Sequence, residues 1–254
     1  NSLAPRAAVS SRLIASTTRA ELAPERLSTA AWLMSGGRLK LRASHGTAFR
    51  SPSFLDLYGR SAFYTGNPAL RPERAAGWDA GFDLLADRGG RVSVTWHETR
   101  LRDLIAATPD FRSVQNIQRA RTRGLEFSGV VPVATAEVRW SYGYLEAENL
   151  TTNRRLLRRP RHRGGLDVWR AWTGGFGLGA GWAVTAARED VDARTFRTID
   201  GEDFGVLRVY GEYRLNPRLL LKGRVENLLG ESYEEVNGYP APGQTVFGAL
   251  EWRF

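Results

Sequence analysis

The chain has 254 residues, a formal charge of +9 and no cysteine. The missing cysteine excludes a disulfide scaffold, a thiolate metal site and a cysteine nucleophile. The positive charge is almost all arginine, since lysine occurs only at Lys40 and Lys222.

Twelve segments alternate with the period of two that marks a strand with unlike faces. Their approximate spans are 6–16, 26–34, 38–47, 75–85, 91–102, 121–131, 136–148, 162–171, 176–188, 204–215, 219–228 and 245–254. In chain order, Leu39, Leu41 and Ala43 alternate with Lys40, Arg42 and Ser44. Trp78, Ala80, Phe82 and Leu84 alternate with Asp79, Gly81 and Asp83. Val138, Trp140, Tyr142 and Tyr144 alternate with Arg139, Ser141 and Gly143. Phe176, Leu178, Ala180, Trp182 and Val184 stand opposite a nearly bare face of Gly177, Gly179, Gly181 and Ala183. Leu207, Val209, Gly211, Tyr213 and Leu215 alternate with Arg208, Tyr210, Glu212 and Arg214. At the end of the chain, Val246, Gly248, Leu250, Trp252 and Phe254 alternate with Thr245, Phe247, Ala249, Glu251 and Arg253. No span has the pattern of a long amphipathic helix, and only 53–58 leaves room for a short one. No stretch offers the roughly 20 apolar residues of a membrane helix. The nearest, 171–187, is broken by five glycines. Residues 1–20 lack the basic start and apolar centre of a secretory leader.

The connections alternate in length. Short turns with hairpin chemistry fall at Ser35-Gly36-Gly37, 86–90, 132–135, 173–175 and Asn216-Pro217. Long connections fall at 17–25, 48–74, 103–120, 149–161, 189–203 and 229–244. Segregated loop length is the pattern of a membrane barrel with short turns at one end and long external loops at the other. A soluble β-barrel shares the alternation. Two features favour the membrane: full charges on many polar faces, and aromatics near segment ends at Trp78, Trp96, Tyr144, Trp182, Tyr213, Trp252 and Phe254. The expected fold is therefore all-β: an antiparallel up-and-down transmembrane barrel meander of about 12 strands over 1–254, with both ends of the chain on the short-turn side.

Four segments resemble those of TonB-dependent outer-membrane receptors. The first runs from Gly46 through Phe49, Arg50 and Pro52 to Phe54. The second is Gly66-Asn67-Pro68-Ala69-Leu70-Arg71-Pro72-Glu73. The third, 116–129, includes Gly124 and Glu126. The fourth contains Asn227, Leu228, Tyr233, Pro240 and Gly243. Trp252 and Phe254 resemble the terminal aromatic signal read by the outer-membrane assembly machinery. The resemblance implies the second half of a 22-strand barrel, roughly strands 11 to 22, with the plug domain and the energy-coupling segment outside this chain. It implies an outer-membrane transport receptor of a Gram-negative bacterium for a scarce, bulky nutrient. Ligand capture would fall to the external loops, and the partners would be the plug, the TonB system, membrane lipid and lipopolysaccharide. The segment from Gly238 to Gly243 is most like that of vitamin B12 (cobalamin) receptors, while ferric siderophore receptors share most of the motifs.

No catalytic motif, cofactor loop or metal spacing stands beside these segments. His45, His97 and His162 lie in separate segments and read as lumenal or loop residues, and His97 alternates with Trp96. No G-x-S-x-G element or phosphate loop occurs. The expected catalytic, cofactor and metal sites are accordingly none, and no nucleic acid is expected. The densest charge run, Arg154 to Arg163, reads as a loop with lumenal arginines, or as a surface for lipopolysaccharide phosphates or an anionic ligand. A self-contained twelve-strand pore or an outer-membrane phospholipase is the alternative of another class.

Overall fold

The structure, a computed structural model, describes residues 23–254 except Asp87 and Ala193. The strand expected at 6–16 lies outside the described residues, as does the expected position of the chain's start.

The first strands are β1 (Ala23–Met34), β2 (Leu39–Arg50), β3 (Glu73–Leu85), β4 (Arg91–Ala107), β5 (Val114–Val133) and β6 (Ala136–Asn149). After the two-residue β7 (Arg154–Arg155) come β8 (His162–Ala171) and β9 (Phe176–Ala186). The ribbon of β10 (Arg188–Val191) and β11 (Thr198–Gly201) precedes β12 (Phe204–Asn216) and β13 (Leu219–Glu226). A second ribbon, β14 (Glu234–Val236) and β15 (Tyr239–Pro240), precedes β16 (Thr245–Trp252). The one α-helix among the described residues, α1 (Phe54–Tyr58), fills the place left for a short helix. Its first turn is closed by a capping box between Ser53 and Asp56.

The main sheet is an antiparallel meander in the order β1-β2-β3-β4-β5-β6-β8-β9-β12-β13-β16, with β7 paired to β6. Its path strands overlap every expected segment from 26–34 onward. Among the described residues, β1 and β16 end the sheet and do not pair with each other. Trp252 pairs with Leu219 beside the 217–218 turn, so the chain's end lies on the short-turn side, as expected.

Register assigns every side chain to one of two faces. Cross-strand partners share a face, so Val209, Val225 and Val246 form one row, and Tyr213, Leu221 and Leu250 another. Trp78, Trp96, Leu125 and Tyr144 belong to this apolar face. The opposite face carries Lys40, Asp83 and Ser93 on one ladder and Asp167 and Arg208 on another. Trp182 is 55% exposed and Val246 75%, whereas Asp83 on the charged face is 2% exposed. A water-soluble protein places its faces the other way. The inversion is that of a sheet whose apolar face meets lipid and whose charged face lines a polar lumen.

Two carboxylates of the charged face find their partners on that face. Asp83 accepts a hydrogen bond from Ser93 at 2.7 Å and lies 3.1 Å from Arg91 Nη2 and 3.5 Å from Arg42 Nε. Asp167 accepts from the Tyr210 hydroxyl at 2.8 Å and from Arg208 at 3.0 Å. The bare glycine face of β9 belongs here. The rings of Trp169 and Tyr210 stack in parallel planes, 5.4 Å apart, and cover it. A Cβ on Gly177 would lie 2.3 Å from the Trp169 ring, and one on Gly179 2.4 Å from the Tyr210 ring. Glycine there makes room for two flat aromatics inside the lumen.

One expected boundary is corrected. The loop at 103–120 shrinks to 108–113, because Leu104 to Ala107 still pair with Val114 to Ile117. Above the lipid the alternation inverts. Arg100 and Arg102 take the outward positions, while Leu101 turns inward and packs with Ala75 and Ala120 in a small apolar core. The membrane pattern ends at Trp96, and the strand does not.

Candidate functional site: the loop-side mouth of the lumen

The long connections gather at one end of the sheet, where two clasps hold them. The first ties the first three motif segments together. Arg50 Nε and Nη2 donate to the two oxygens of Glu73 at 3.0 and 2.9 Å, across the β2–β3 pairing. Glu73 is 4% exposed and also accepts the backbone N–H of Ile105 at 2.6 Å. Its carboxylate therefore neutralises a cation and satisfies a backbone donor on a third strand. Asn67 donates from its amide to the Val114 carbonyl at 3.1 Å, and Asn116 holds Arg71 at both backbone groups. Gly66 passes so close to α1 that a Cβ would lie 2.7 Å from the Leu57 carbonyl carbon. Leu70 is buried beneath the loop.

The second clasp uses residues that sequence reasoning missed. Asp190, in the β10–β11 ribbon, is fully buried. One carboxylate oxygen accepts Arg158 Nε and the Val191 N–H, both at 2.8 Å, and the other accepts the Asn237 N–H at 2.8 Å. Arg155 meets Glu189 at 3.2 Å, and Arg188 donates to the Glu234 carbonyl at 2.6 Å. The Arg158 guanidinium also covers the Phe111 ring at 4.9 Å. Four external loops thus meet at one guanidinium–carboxylate pair. Burial opposes the charge on Asp190, but Arg158 and the two amides outweigh it and hold the carboxyl below its usual range. The only sequence signals were a short charged run at 188–190 and the Asn237-Gly238 turn pair.

The arginine run 154–163 divides by role. Arg155 and Arg158 belong to the clasp. Arg159, Arg161 and Arg163 form no ion pair among the described residues. Burial, and then the charge of Arg163, push the Arg159 guanidinium below its ordinary pKa. The register places Arg163 on the lumenal face, opposite Gly143 and Thr185. The Nε atoms of Arg161 and Arg188 are buried without a hydrogen-bond partner. Buried unsatisfied donors beside arginines outside any ion pair leave this part of the mouth with uncompensated positive charge.

The remaining expected residues are spread along the sheet. Gly46 lies mid-strand opposite Gly77, and Phe49 lies on the outward face opposite Arg74. Pro52 precedes α1, while Pro68 and Pro72 flank Leu70. At Gly124 a Cβ would lie 2.2 Å from the Tyr144 carbonyl oxygen. Glu126 lies 3.7 Å from His97 Nδ1, so His97 faces the lumen as expected. The other two histidines are corrected. His45 packs at a tilt against the Trp78 ring, centroids 4.3 Å apart, and His162 bonds the Tyr142 hydroxyl at 2.7 Å, both on the outward face. Asn227, 2% exposed and at φ 52°, exchanges hydrogen bonds with both backbone groups of Glu231 at 2.8 Å. Leu228 continues the strand through its N–H to the Leu207 carbonyl. Tyr233 stacks on Phe204 at 4.1 Å. Pro240 lies in β15, Gly243 in the final approach, and Trp252 and Phe254 at the short-turn end of the outward face.

The family model for the TonB dependent receptor-like β-barrel matches residues 30–228. The chain belongs to this family. Among solved structures it is similar to the copper transporter OprC, with a TM-score of 0.75 and 19% identity over 90% of this chain and 39% of that one. It is similar to the siderophore receptor PirA from Acinetobacter baumannii, with a TM-score of 0.73 and 12% identity over 90% of this chain and 40% of that one. A mutant of the ferric enterobactin receptor PfeA from Pseudomonas aeruginosa gives a TM-score of 0.71 and 17% identity over 89% of this chain and 39% of that one. These likenesses establish the fold. The chain spans about two fifths of the length of each of these three proteins.

Proposed function

We propose that residues 1–254 form the C-terminal part of the barrel of a transport receptor in the outer membrane of a Gram-negative bacterium. The receptor takes up a bulky, anionic metal chelate of the ferric siderophore class. In this reading the plug domain and the TonB-contacting segment belong to the rest of the receptor, and TonB supplies the energy. Trp252 and Phe254 act as the assembly signal. No bond chemistry is assigned to the barrel.

The observation that carries the ligand class is the set of unneutralised arginines, Arg159, Arg161 and Arg163, with buried donors left over at Arg161 and Arg188. Arginine forks match the oxygens of an anionic chelate. The second clasp anchors the loops around this charge. A copper transporter and two siderophore receptors among the similar folds are compatible with the same reading. Cobalamin is the second reading, favoured by the 238–243 segment, which sits at β15 with Tyr239 exposed.

The test is equilibrium binding to the full-length receptor by intrinsic tryptophan fluorescence, with a ferric tris-catecholate and cyanocobalamin as probes. The anionic chelate is expected to bind saturably. Charge-removing changes at Arg159 and Arg163 should weaken it by about tenfold together, the scale of a lost charge-assisted contact. Saturable cobalamin binding that ignores both arginines would favour the second reading.

A further inference from the structure

The arginines of the mouth stand at the top of a wall built unlike the rest of the lumen. We propose that the lumenal face of β8, β9 and β12 is the track along which the anionic chelate moves from the mouth toward the short-turn side. The proposal rests on the transport reading above and assigns a role to a surface that reading leaves unused.

Register sets the wall out from the top down. Arg163, Gly165, Asp167 and Trp169 follow one another down the lumenal face of β8. Arg163 of the mouth shares its row with Gly143, Thr185 and Phe204. The next row, Ser128, Ser141, Gly165, Ala183 and Val206, is uncharged and holds nothing larger than valine. Below it lie Arg139, Asp167, Gly181 and Arg208. The row below that is Glu137, Trp169, Gly179, Tyr210, Arg224 and Phe247.

Three glycines let the side chains of the lower rows lie down. A Cβ on Gly181 would lie 2.7 Å from Arg208 Nε and 2.8 Å from Asp167 Oδ2, just as Cβ atoms on Gly177 and Gly179 would meet the Trp169 and Tyr210 rings. An ion pair and two rings therefore reach in from the flanking strands and occupy the space directly above the β9 backbone, burying all three glycines. The two ring planes differ by only 5°, and both rings stay partly exposed. The result is a flat aromatic surface open to the lumen. The lumenal face of β2 to β6 has no counterpart, since it carries no Phe, Tyr or Trp.

Charge changes in the same direction. At the top, Arg159, Arg161 and Arg163 stand outside any ion pair among the described residues. In the two lower rows every charge is matched: Arg208 by Asp167 at 3.0 Å, Arg139 by Glu137, and Arg224 by Glu226 at 3.2 Å. Transit needs a site that draws the ligand in and onward contacts weak enough to release it. An unmatched guanidinium captures an anion. A matched one exerts little net pull, while the ring faces beside it still take the planar groups of a chelate by contact. This order, from unmatched charge at the mouth to matched charge within, suits a moving ligand better than a permanently seated protein segment.

The experiment uses the full-length receptor and one probe, a ferric tris-catecholate. Binding is read by tryptophan fluorescence, and uptake by radioiron accumulation in cells that carry the receptor. Gly179→Val pushes the Tyr210 ring off the wall and into the lumen. It should lower uptake by about tenfold while affinity stays within about twofold. Asp167→Asn keeps the acceptor for the Tyr210 hydroxyl but leaves Arg208 unmatched, so the wall becomes a trap. Uptake should fall by about fivefold, and Asp167→Asn/Arg208→Gln should restore it. A purely structural role would not give that rescue. Unchanged uptake in Gly179→Val and Asp167→Asn, or a double variant as slow as Asp167→Asn, overturns the proposal. Should Gly179→Val fail to assemble, the Asp167 pair of variants decides alone. Loss of affinity and of thermal stability together with uptake would assign the wall to a seated plug and overturn the track. Absence of saturable binding by the unmodified receptor would sink the transport reading and the track with it, whereas intact binding with unaffected uptake sinks the track alone.

Discussion

The two clasps at the loop end perform the same task by different routes. The Arg50–Glu73 clasp joins adjacent strands, and its partners are already opposed by the β2–β3 ladder. The Arg158–Asp190 clasp joins a loop to a separate ribbon, and no main-sheet pairing brings its partners together. The first adds a side-chain bond to a register that exists without it. The second is backed only by backbone bonds outside the main sheet, from Arg158 N–H to the Glu189 carbonyl at 2.7 Å and from Arg161 N–H to the Ala187 carbonyl at 3.2 Å. The first should therefore govern sheet stability at its upper edge, and the second should govern loop order and ligand capture with little effect on the strands.

Variants grade this contrast. The upper scale is set by Val209→Arg, which places a charge on the outward face of β12, at a cost of about 2–4 kcal/mol near mid-membrane. Arg208→Ala, one residue away on the lumenal face, should cost much less. The measurement is the folded fraction in outer-membrane preparations, and equal folding of the two would contradict the assignment of faces. Next comes Glu73→Ala, which removes the two-oxygen partner of Arg50, leaving Asp56 at 3.7 Å, and the acceptor of the Ile105 N–H. We expect a loss of about 2–3 kcal/mol in urea unfolding, below the range for fully buried pairs because Arg50 keeps some solvent contact. Asp190→Ala should cost about 1–2 kcal/mol globally, yet should increase protease cleavage in the 149–161 and 229–244 loops more than Glu73→Ala does. The reverse order of cleavage would show that the clasps do not divide the work in this way.

A pH titration sharpens the comparison further. The Asp190 carboxyl is held below its ordinary value, so the clasp's contribution is complete above about pH 4, the unfolded value. It is lost as pH falls through the lowered folded value. Loop protection from an acid-active protease should be flat from pH 7 to about pH 5 and should fall only below about pH 4. A midpoint near neutrality would point to another group. The smallest expected effect is that of Asn227→Asp. It retains the acceptor for the Glu231 N–H but replaces the amide that donates to the Glu231 carbonyl, a loss of about 1 kcal/mol. Melting followed by far-UV circular dichroism would read it.

Sequence by itself determined the strands and their faces. A period of two is a property of neighbouring residues, so Leu207, Val209 and Tyr213 were assigned to one face, and Arg208 and Glu212 to the other, before any pairing was known. Hairpin turns and loop lengths then ordered the meander. The first clasp was partly legible for the same reason: its residues lie in ordered motif segments at strand ends, although nothing in those segments showed that Glu73 caps the Ile105 backbone. Only the tertiary structure decided the rest. Leu101 turns inward while Arg100 and Arg102 turn outward because the strand leaves lipid, and beyond Arg102 a register break at Asp103, φ 56°, hides the continuation of β4 to Ala107. The glycine face of β9 read as empty until Trp169 and Tyr210, from β8 and β12, were seen to fill it. Asp190, Arg158 and Asn237 meet from three separate loops. Contacts of this kind depend on register between segments far apart in the chain, and periodicity within one segment carries no information about its register with another.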